Sequence, residues 1–537
     1  MIVTKQVHTP VFPRAVLWKE GGAAHEEVLL KERALALPLF VDVPCFDLPA
    51  GASVLLDFGK EIAGSLRLMI ESVESKENRI PLRLRVGESA GETMVDVPDH
   101  GATRDHSPHD RIVEVPSLSD NSFFESGFRF ARLDNLGQGG VRFYAILAME
   151  SHVDAPRVSY FRSNDEQVNR IFEVSDRTAY LCAQNDYIYD GIKRDRLVWC
   201  GDLGIEMRTL LESYGPLSNL KNAIDFCRDT NPLPHWINAM PTYSLWWMDC
   251  LNSYFRVTGD QAYLRENLPY LSGLVHQLSA CVSPEGVLDF GGPKETADFI
   301  DWPSHGTEDA HAGAVALLKI ALEEAAGLLQ QGGASPEEAS STLARLKKVP
   351  MGPKALKGLL CLQSLAWGDE ESERLLKEGG ANMSTFMAYP IFKALAKEGR
   401  YEEALSLMKE YYGAMLEKGA TTFFEDFQME WAKDDSIDVL PQEGRRYLHA
   451  DNGRFCYQGY RMSLCHGWAS GPLPYLLEEV AGLRLLNADT LLFDPHPSGL
   501  SDYEAAVYTK EGVAKMSCHE GKFHLEAPAS LHVERIK

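Results

Sequence analysis

The chain has 537 residues, 45% of them apolar and 24% charged, a composition that suits a globular protein with a large core and room for about three domains. Its 53 basic and 77 acidic side chains leave a formal charge of −24. No basic run offers nucleic acid a footprint, and an acidic surface repels anionic membranes and polymers.

The N-terminal stretch MIVTKQVHTPVFPRAVLWKEGG has no unbroken apolar segment, and no apolar run approaches the roughly 18 residues of a membrane span. The expectation is a cytoplasmic protein without a signal peptide. The ten cysteines show no CxxC pair and no metal-ligand spacing, so they read as reduced, mostly buried thiols. No phosphate loop, nucleotide fingerprint or metal cluster is evident, and neither cofactor nor metal is expected.

Residues 1–155 predict β structure. Short apolar or alternating runs recur at SVLLDFG (53–59), LRLMIES (66–72), PLRLRVGES (81–89), FRFARLD (128–134) and VRFYAILAME (141–150). In LRLRV, Leu82, Leu84 and Val86 alternate with Arg83 and Arg85, the period of a sheet with one wet face. An N-terminal β-sandwich is the economical architecture.

Residues 156–484 predict helices. SPEEASSTLARLKKV supplies Ser335 as N-cap, Pro336 in the first turn and Glu338 to close a capping box. YEEALSLMKEYYGAMLEKG places Leu405, Met408, Tyr412 and Met415 on one stripe and stops at Gly419, and Asp260 is a plausible N-cap for the helix after VTG. About a dozen helices fit, with no repeat of fixed period. A closed double ring of helices is attractive, and an irregular all-α domain is the alternative. Residues 485–537 return to strands and turns, as a small C-terminal β domain.

The loops of the helical region are dense in acids and tryptophans. DGIKRDRLVWCGD carries Asp190, Asp195 and Asp202 with Arg194, Arg196 and Trp199. Gly191 and Gly201 argue for a loop that leads into or out of a helix. Later come Trp246, Trp247 and Asp249 in SLWWMD, Asp298, Asp301, Trp302 and His305 in DFIDWPSHG, Glu425, Asp426, Glu430 and Trp431 in TTFFEDFQMEW, and His466 and Trp468 in SLCHGWASGP. Singly, each reads as a core aromatic beside salt-bridged or surface acids, and His466 as a structural histidine. Jointly they fit a carbohydrate: sugar C–H faces stack on tryptophan, carboxylates bind hydroxyls, and glycoside cleavage needs two carboxyl groups.

The chain resembles the α-L-rhamnosidases of glycoside hydrolase family 78 and their relatives nearly end to end. LDFGKEIAGSLRLMI (56–70), RVGES (85–89) and SGFRFARL (126–133) are similar to the family's β-sandwich, and YFRSNDEQVNRIF (160–172) to the start of its (α/α)6 barrel. DGIKRDRLVWCGD, WWMDCLNSYFRVTGD, DFIDWPS, GATTFFEDF and SLCHGWASGP then follow in the family's order. The resemblance implies an (α/α)6-barrel catalytic domain over 156–484, flanked by a β-sandwich at 1–155 and a small β domain at 485–537. It implies an inverting glycosidase acting on an oligosaccharide or glycoside, with Asp195 as general acid and Glu425 as general base. Asp190, Asp202, Arg194, Trp199, Trp247, Asp249, Trp302 and His466 fall on positions that bind or line the sugar. Two positions depart: Asp195 stands where glutamate is common, and Phe424 where a tryptophan is frequent. The chain is also short for the family.

Two other readings belong beside this one. A lyase or unsaturated-uronyl hydrolase on the same scaffold would draw on Tyr187, Tyr189 and His466. The Asp195 departure would also suit a non-catalytic sugar-binding protein. Oligomeric state is not readable from the sequence.

Overall fold

The computed structural model describes residues 1–39, 41–104, 109–184 and 186–536. Eight N-terminal strands pair antiparallel into one sheet, in the order Gln6–Val11, Val141–Val153, Ser53–Val73, Ser119–Asn135, Ile80–Gly87 and Asp110–Val115. Ala15–Glu20 joins along Ser53–Val73, and Phe46–Leu48 along Val141–Val153. The runs SVLLDFG and LRLMIES, which look like two strands, are one 21-residue strand whose register shifts between Asp57 and Ile62. At Gly64 the strand passes so close to its neighbour that a Cβ would lie 2.0 Å from the Met149 carbonyl oxygen. Leu82, Leu84 and Val86 do enter the core. The opposite face is not wet throughout: Arg85 is buried and donates to Asp134 at 2.7 Å, because that edge is covered by the segment around Val95.

The helical region begins at Glu166–Cys182, capped by the Asp165 side chain, which accepts from the Gln167 and Val168 amides. Its longer helices continue as Cys200–Tyr214, Ser218–Asp229, Pro241–Thr258, Gln261–Ala280, Ala310–Gly332, Glu337–Arg345, Lys357–Trp367, Ala388–Lys397 and Tyr401–Glu417. Cys200–Tyr214 packs on Pro241–Thr258, that on Ala310–Gly332, then Lys357–Trp367 and Ala388–Lys397 in turn, and the short helix Pro472–Tyr475 touches both Ala388–Lys397 and Cys200–Tyr214. The stripe Leu405, Met408, Tyr412 and Met415 is buried, and Gly419 takes the left-handed φ of +87° that ends such a helix readily. Asp260 caps its helix through the Tyr263 amide at 3.0 Å. The capping box at Ser335 is not formed. Ser335 Oγ accepts from Glu337, whereas the Glu338 carboxylate faces His276 of a neighbouring helix at 2.8 Å.

Tyr160–Ser163, at the start of the helical region by sequence, is instead the edge of a four-stranded sheet with Asp502–Thr509, Gly512–His519 and Lys522–Glu526. Phe161 stacks on Tyr503 there, with 5.6 Å between ring centres. Leu483–Asn487, Thr490–Phe493 and His532–Arg535 form a second small sheet. All ten cysteines are free thiols and eight are buried. Among the described residues no helix is long and apolar enough to cross a membrane.

Candidate active site

Three stretches of irregular backbone lie side by side and build the site. The middle one is 463–467. On one side the Glu425 amide donates to the Ser463 carbonyl and the His466 amide to the Phe423 carbonyl, each at 3.0 Å. On the other side Gly191 bridges His466, and the Gly467 amide donates to the Asp190 carbonyl at 2.8 Å. Glycine at 467 lets the Glu206 side chain press against this segment, where a Cβ would lie 1.5 Å from Glu206 Oε1.

The loop 190–197 is closed by Asp190. Its amide donates to the Leu197 carbonyl at 3.0 Å, and its Oδ1 accepts from the Leu197 amide at 2.9 Å. That closure folds Asp195 and Arg196 into left-handed backbone, φ 58° and 52°. Asp202 follows in the first turn of Cys200–Tyr214, where the exposed amides of a helix N-terminus favour an acid. The same helix start is held by Asn238, whose Oδ1 accepts from the Cys200 amide at 3.0 Å.

Asp190, Arg194, Asp195, Trp199, Asp202, Trp302, Glu425 and His466 all line one cavity of about 320 Å³. Arg194 is its hub. One nitrogen of the guanidinium donates to Glu425 Oε1 and the other to Asp195 Oδ2 at 3.0 Å, so a single cation ties the two expected catalytic carboxyls together. Glu425 Oε2 accepts from the Ser463 amide at 3.0 Å. The Glu425 carbonyl is fixed by Thr385 Oγ1 at 2.7 Å and Trp468 Nε1 at 3.1 Å. His466 lies among the acids, its Nε2 3.7 Å from both Asp190 and Glu425 and its Nδ1 3.6 Å from Asp202, with its ring against Trp468.

Burial sets the protonation states. It raises Glu425 above the ordinary carboxylate range, against the pull of Arg194 and the Ser463 amide. Asp190 and Asp202 stand well above that range, through burial and then through the charge of neighbouring acids: Asp202 for Asp190, and Glu206 for Asp202. Burial, aided by Arg194, drives His466 well below its usual value, so it is a neutral imidazole. Burial thus favours the protonated form of Asp190 and Asp202, which can both donate and accept, beside the Arg194 guanidinium.

Two expected sugar-site residues lie elsewhere. Trp247 is fully buried, donates to the Ile224 carbonyl at 3.1 Å and packs edge-on against Tyr270. The inward face of Pro241–Thr258 carries Tyr243, Trp246 and Asp249, and Trp247, one residue past Trp246, is turned roughly 100° away from it. Asp249 sits six residues, or about 9 Å, along the helix from Tyr243. It is gripped by both terminal nitrogens of Arg208 in a second cavity of about 180 Å³. Tyr187 packs on Phe226, and neither it nor Tyr189 lines the site cavity, which removes the tyrosines of the lyase reading. Asn238, Met240, Tyr243, Phe299 and Cys456 line the cavity without having been singled out by sequence; His305 and Trp468, noted within their motifs, line it too. Left-handed backbone at Asn238 and Ala239, φ 51° and 61°, marks that wall, and Asn238 is the one residue of INAMP whose type favours it.

One group of metal-type ligands lies close together among the described residues: Glu88, Glu92 and His449, with ligand atoms within 4.8 Å of one another. Its cation position is taken by Lys193, whose Nζ lies 3.0 Å from Glu88 and 3.1 Å from Glu92. Both His449 nitrogens are also engaged, with Ser89 Oγ at 2.8 Å and the Met462 carbonyl at 2.9 Å.

No protein-family profile matches the chain, and no curated protein sequence does. Solved structures do. A family 78 rhamnosidase of Bacillus sp. GL1 superposes with a TM-score of 0.74 at 19% identity, over 96% of this chain and 56% of that one. A Klebsiella oxytoca rhamnosidase with rhamnose bound gives 0.69 at 20% identity, over 88% of this chain and 96% of that one. A Streptomyces avermitilis α-L-rhamnosidase complexed with L-rhamnose gives 0.69 at 16%, over 92% and 50%. The chain thus spans little more than half of the Bacillus protein and nearly all of the Klebsiella one. The resemblance carried by the motifs extends to the fold.

Proposed function

We propose that the protein is an inverting glycoside hydrolase that removes a terminal α-L-rhamnosyl or closely related residue, working from an (α/α)6 barrel flanked by an N-terminal β-sandwich and a small C-terminal β domain. The helix-to-helix packing that returns from Pro472–Tyr475 to Cys200–Tyr214 supports the barrel. The observation that carries the function is the pair Asp195 and Glu425 held by one guanidinium in a tryptophan-lined cavity.

In this mechanism Asp195 protonates the departing glycosidic oxygen, and Glu425 takes a proton from the water that attacks the opposite face of the sugar. Glu425 must be ionised to act as base; Arg194 and the Ser463 amide favour that form against burial. Neutral Asp190 and Asp202 serve as donors to sugar hydroxyls, and Trp199 and Trp302 offer flat apolar faces to its C–H groups. The substrate is a glycoside or oligosaccharide, taken in without a cofactor.

The test is turnover of an α-L-rhamnoside with an unactivated alkyl leaving group. Asp195→Asn and Glu425→Gln each lower kcat at least about 100-fold. An activated leaving group restores Asp195→Asn but not Glu425→Gln, because only the first loses leaving-group protonation. NMR of the first-formed sugar shows the inverted anomer. Retained turnover in a folded variant removes that residue from its role, a retained anomer removes the inverting course, and tight rhamnose binding without cleavage of any rhamnoside makes the protein a sugar-binding module.

A further inference from the structure

Behind Glu425 lies a buried assembly that the proposed mechanism does not use. Its parts come from the N-terminal sheet and from the catalytic loops. Glu88, just past the strand Ile80–Gly87, is wholly buried. Its Oε1 accepts from Ser463 Oγ at 3.1 Å, and its Oε2 from the Leu464 amide at 2.7 Å. Ser463 is the residue whose amide donates to Glu425 Oε2 and whose carbonyl accepts from the Glu425 amide. Glu88 is therefore one residue removed from the candidate base, clamping the peptide that clamps it.

The second limb runs to the candidate acid. Lys193 immediately precedes Arg194 and stands two residues before Asp195. Its ammonium is buried against Glu88 and Glu92 and donates to the Tyr460 and Met462 carbonyls at 2.8 and 2.9 Å. The Lys193 ammonium, the Ser463 hydroxyl and the Leu464 and Glu88 amides thus converge on two buried carboxyls. A buried ion pair with every partner satisfied contributes little net stability, while breaking one side costs about 3–5 kcal/mol. Such a cluster fixes geometry rather than adding stability.

We propose that Glu88 and Lys193 are positioning residues for the reaction, a strut through which the N-terminal sheet sets the spacing of Asp195 and Glu425, so that the active site is built by both domains. The inference rests on the reading of Glu425 as the base. Its chemistry is short-range. The Ser463 amide points at Glu425 and favours the ionised form; Glu88 holds the far side of that residue through its hydroxyl and the Leu464 amide, Lys193 holds the Met462 carbonyl before it, and loss of either loosens the donor. Glu425 is otherwise faced by Arg194, Asp195, His466, Asp202, Cys456 and Tyr457, none of which the strut variants replace. Glu88 itself is faced by Lys193, Glu92, Glu61 and His449.

The full chain is assayed on 4-nitrophenyl α-L-rhamnoside as wild type, Glu88→Gln, Ser463→Ala, Lys193→Met and the control Glu425→Gln, with circular dichroism and thermal unfolding alongside. Glu88→Gln and Lys193→Met lower kcat at least 10-fold with KM within twofold. Both move the acid limb of kcat/KM upward by at least about half a pH unit, as loss of a donor to the base requires. Ser463→Ala removes one hydroxyl, keeps the fold, and shows the same signature at smaller size, so it carries the test if either charge variant fails to fold. Folded variants with wild-type kcat and an unmoved acid limb, beside an inactive Glu425→Gln, overturn the strut alone. Turnover retained in Glu425→Gln overturns the proposed function and the strut with it.

Discussion

Arg194 is the most informative residue to change. It donates to Glu425 and Asp195 at once, and both it and Glu425 are almost fully buried. Replacing it with methionine keeps the bulk and removes the cation. Glu425 then keeps the Ser463 amide as its remaining donor against a burial that already raises its pKa. A hydrogen bond to a buried charged group contributes about 1.5–3 kcal/mol. At about 1.4 kcal/mol per pH unit, its loss raises the pKa of the base by about 1–2 units. The base works ionised, so activity is lost as pH falls through that pKa. Arg194→Met therefore moves the acid limb of kcat/KM up by about 1–2 units, and turnover at a pH below the limb falls about 10- to 100-fold while partly recovering at higher pH. Arg194→Lys keeps the charge but not the fork, and moves the limb less. The assay is the pH profile of an aryl rhamnoside with unfolding followed in parallel. An acid limb unmoved in a folded Arg194→Met variant refutes the electrostatic role given to Arg194.

The other predictions separate the site from its surroundings. Asp190, Asp202, Glu206 and Glu425 are raised in the folded protein, so it holds protons that the unfolded chain releases from about pH 4 upward, and stability falls as pH rises toward their folded pKa values. Glu206→Gln, at a carboxyl whose Oε1 has no hydrogen-bond partner, flattens the decline of Tm above pH 6, and an unchanged slope refutes its part in it. Trp302→Ala raises KM at least about 10-fold with little change in Tm, whereas Trp247→Ala costs about 3–5 kcal/mol in denaturant unfolding and leaves the KM of the folded fraction unchanged. Asp249→Ala strands the buried Arg208 and costs about 3–5 kcal/mol, with KM again unchanged; a raised KM would return Asp249 to the sugar site.

Most of the lining of the candidate cavity was legible because it is made of residue types that loops rarely concentrate. Asp190, Asp195, Asp202, Trp199, Trp302, Glu425 and His466 converge although up to 276 positions part them, from Asp190 to His466. The misplacements have a common cause. In LWWMD every residue is apolar, aromatic or acidic, so the helical phase that separates Trp246 from Trp247 is invisible without knowing which face meets the axis. Tyr243 was hidden for the same reason. In the N-terminal sheet, GKEIAG reads as a turn by composition, yet a register shift lets one strand pass through it. Glu88 lies in RVGES, and Ser463 and Leu464 lie in SLCHGWASGP, two stretches that carry the resemblance, but nothing in either announces that they meet across 375 and 376 positions.

Aspartate in place of the usual glutamate at 195 looks, on the sequence alone, like a shortened reach. The backbone changes the terms. Asp195 has φ 58°, in the left-handed region where aspartate and asparagine are several-fold enriched among non-glycine residues and longer side chains are not. That conformation is imposed by the closure of Asp190 on Leu197 at both amide and side chain, and the loop is anchored on its other flank by Lys193. The side chain and the turn therefore belong together: the loop that presents the carboxyl to Arg194 and the cavity is one that aspartate occupies at low strain. Restoring glutamate adds one methylene and gives up the local preference of aspartate for that φ, although Glu378 and Glu520 adopt left-handed backbone elsewhere in the chain. The residue that departs from the family's pattern is thus one whose type suits its own backbone.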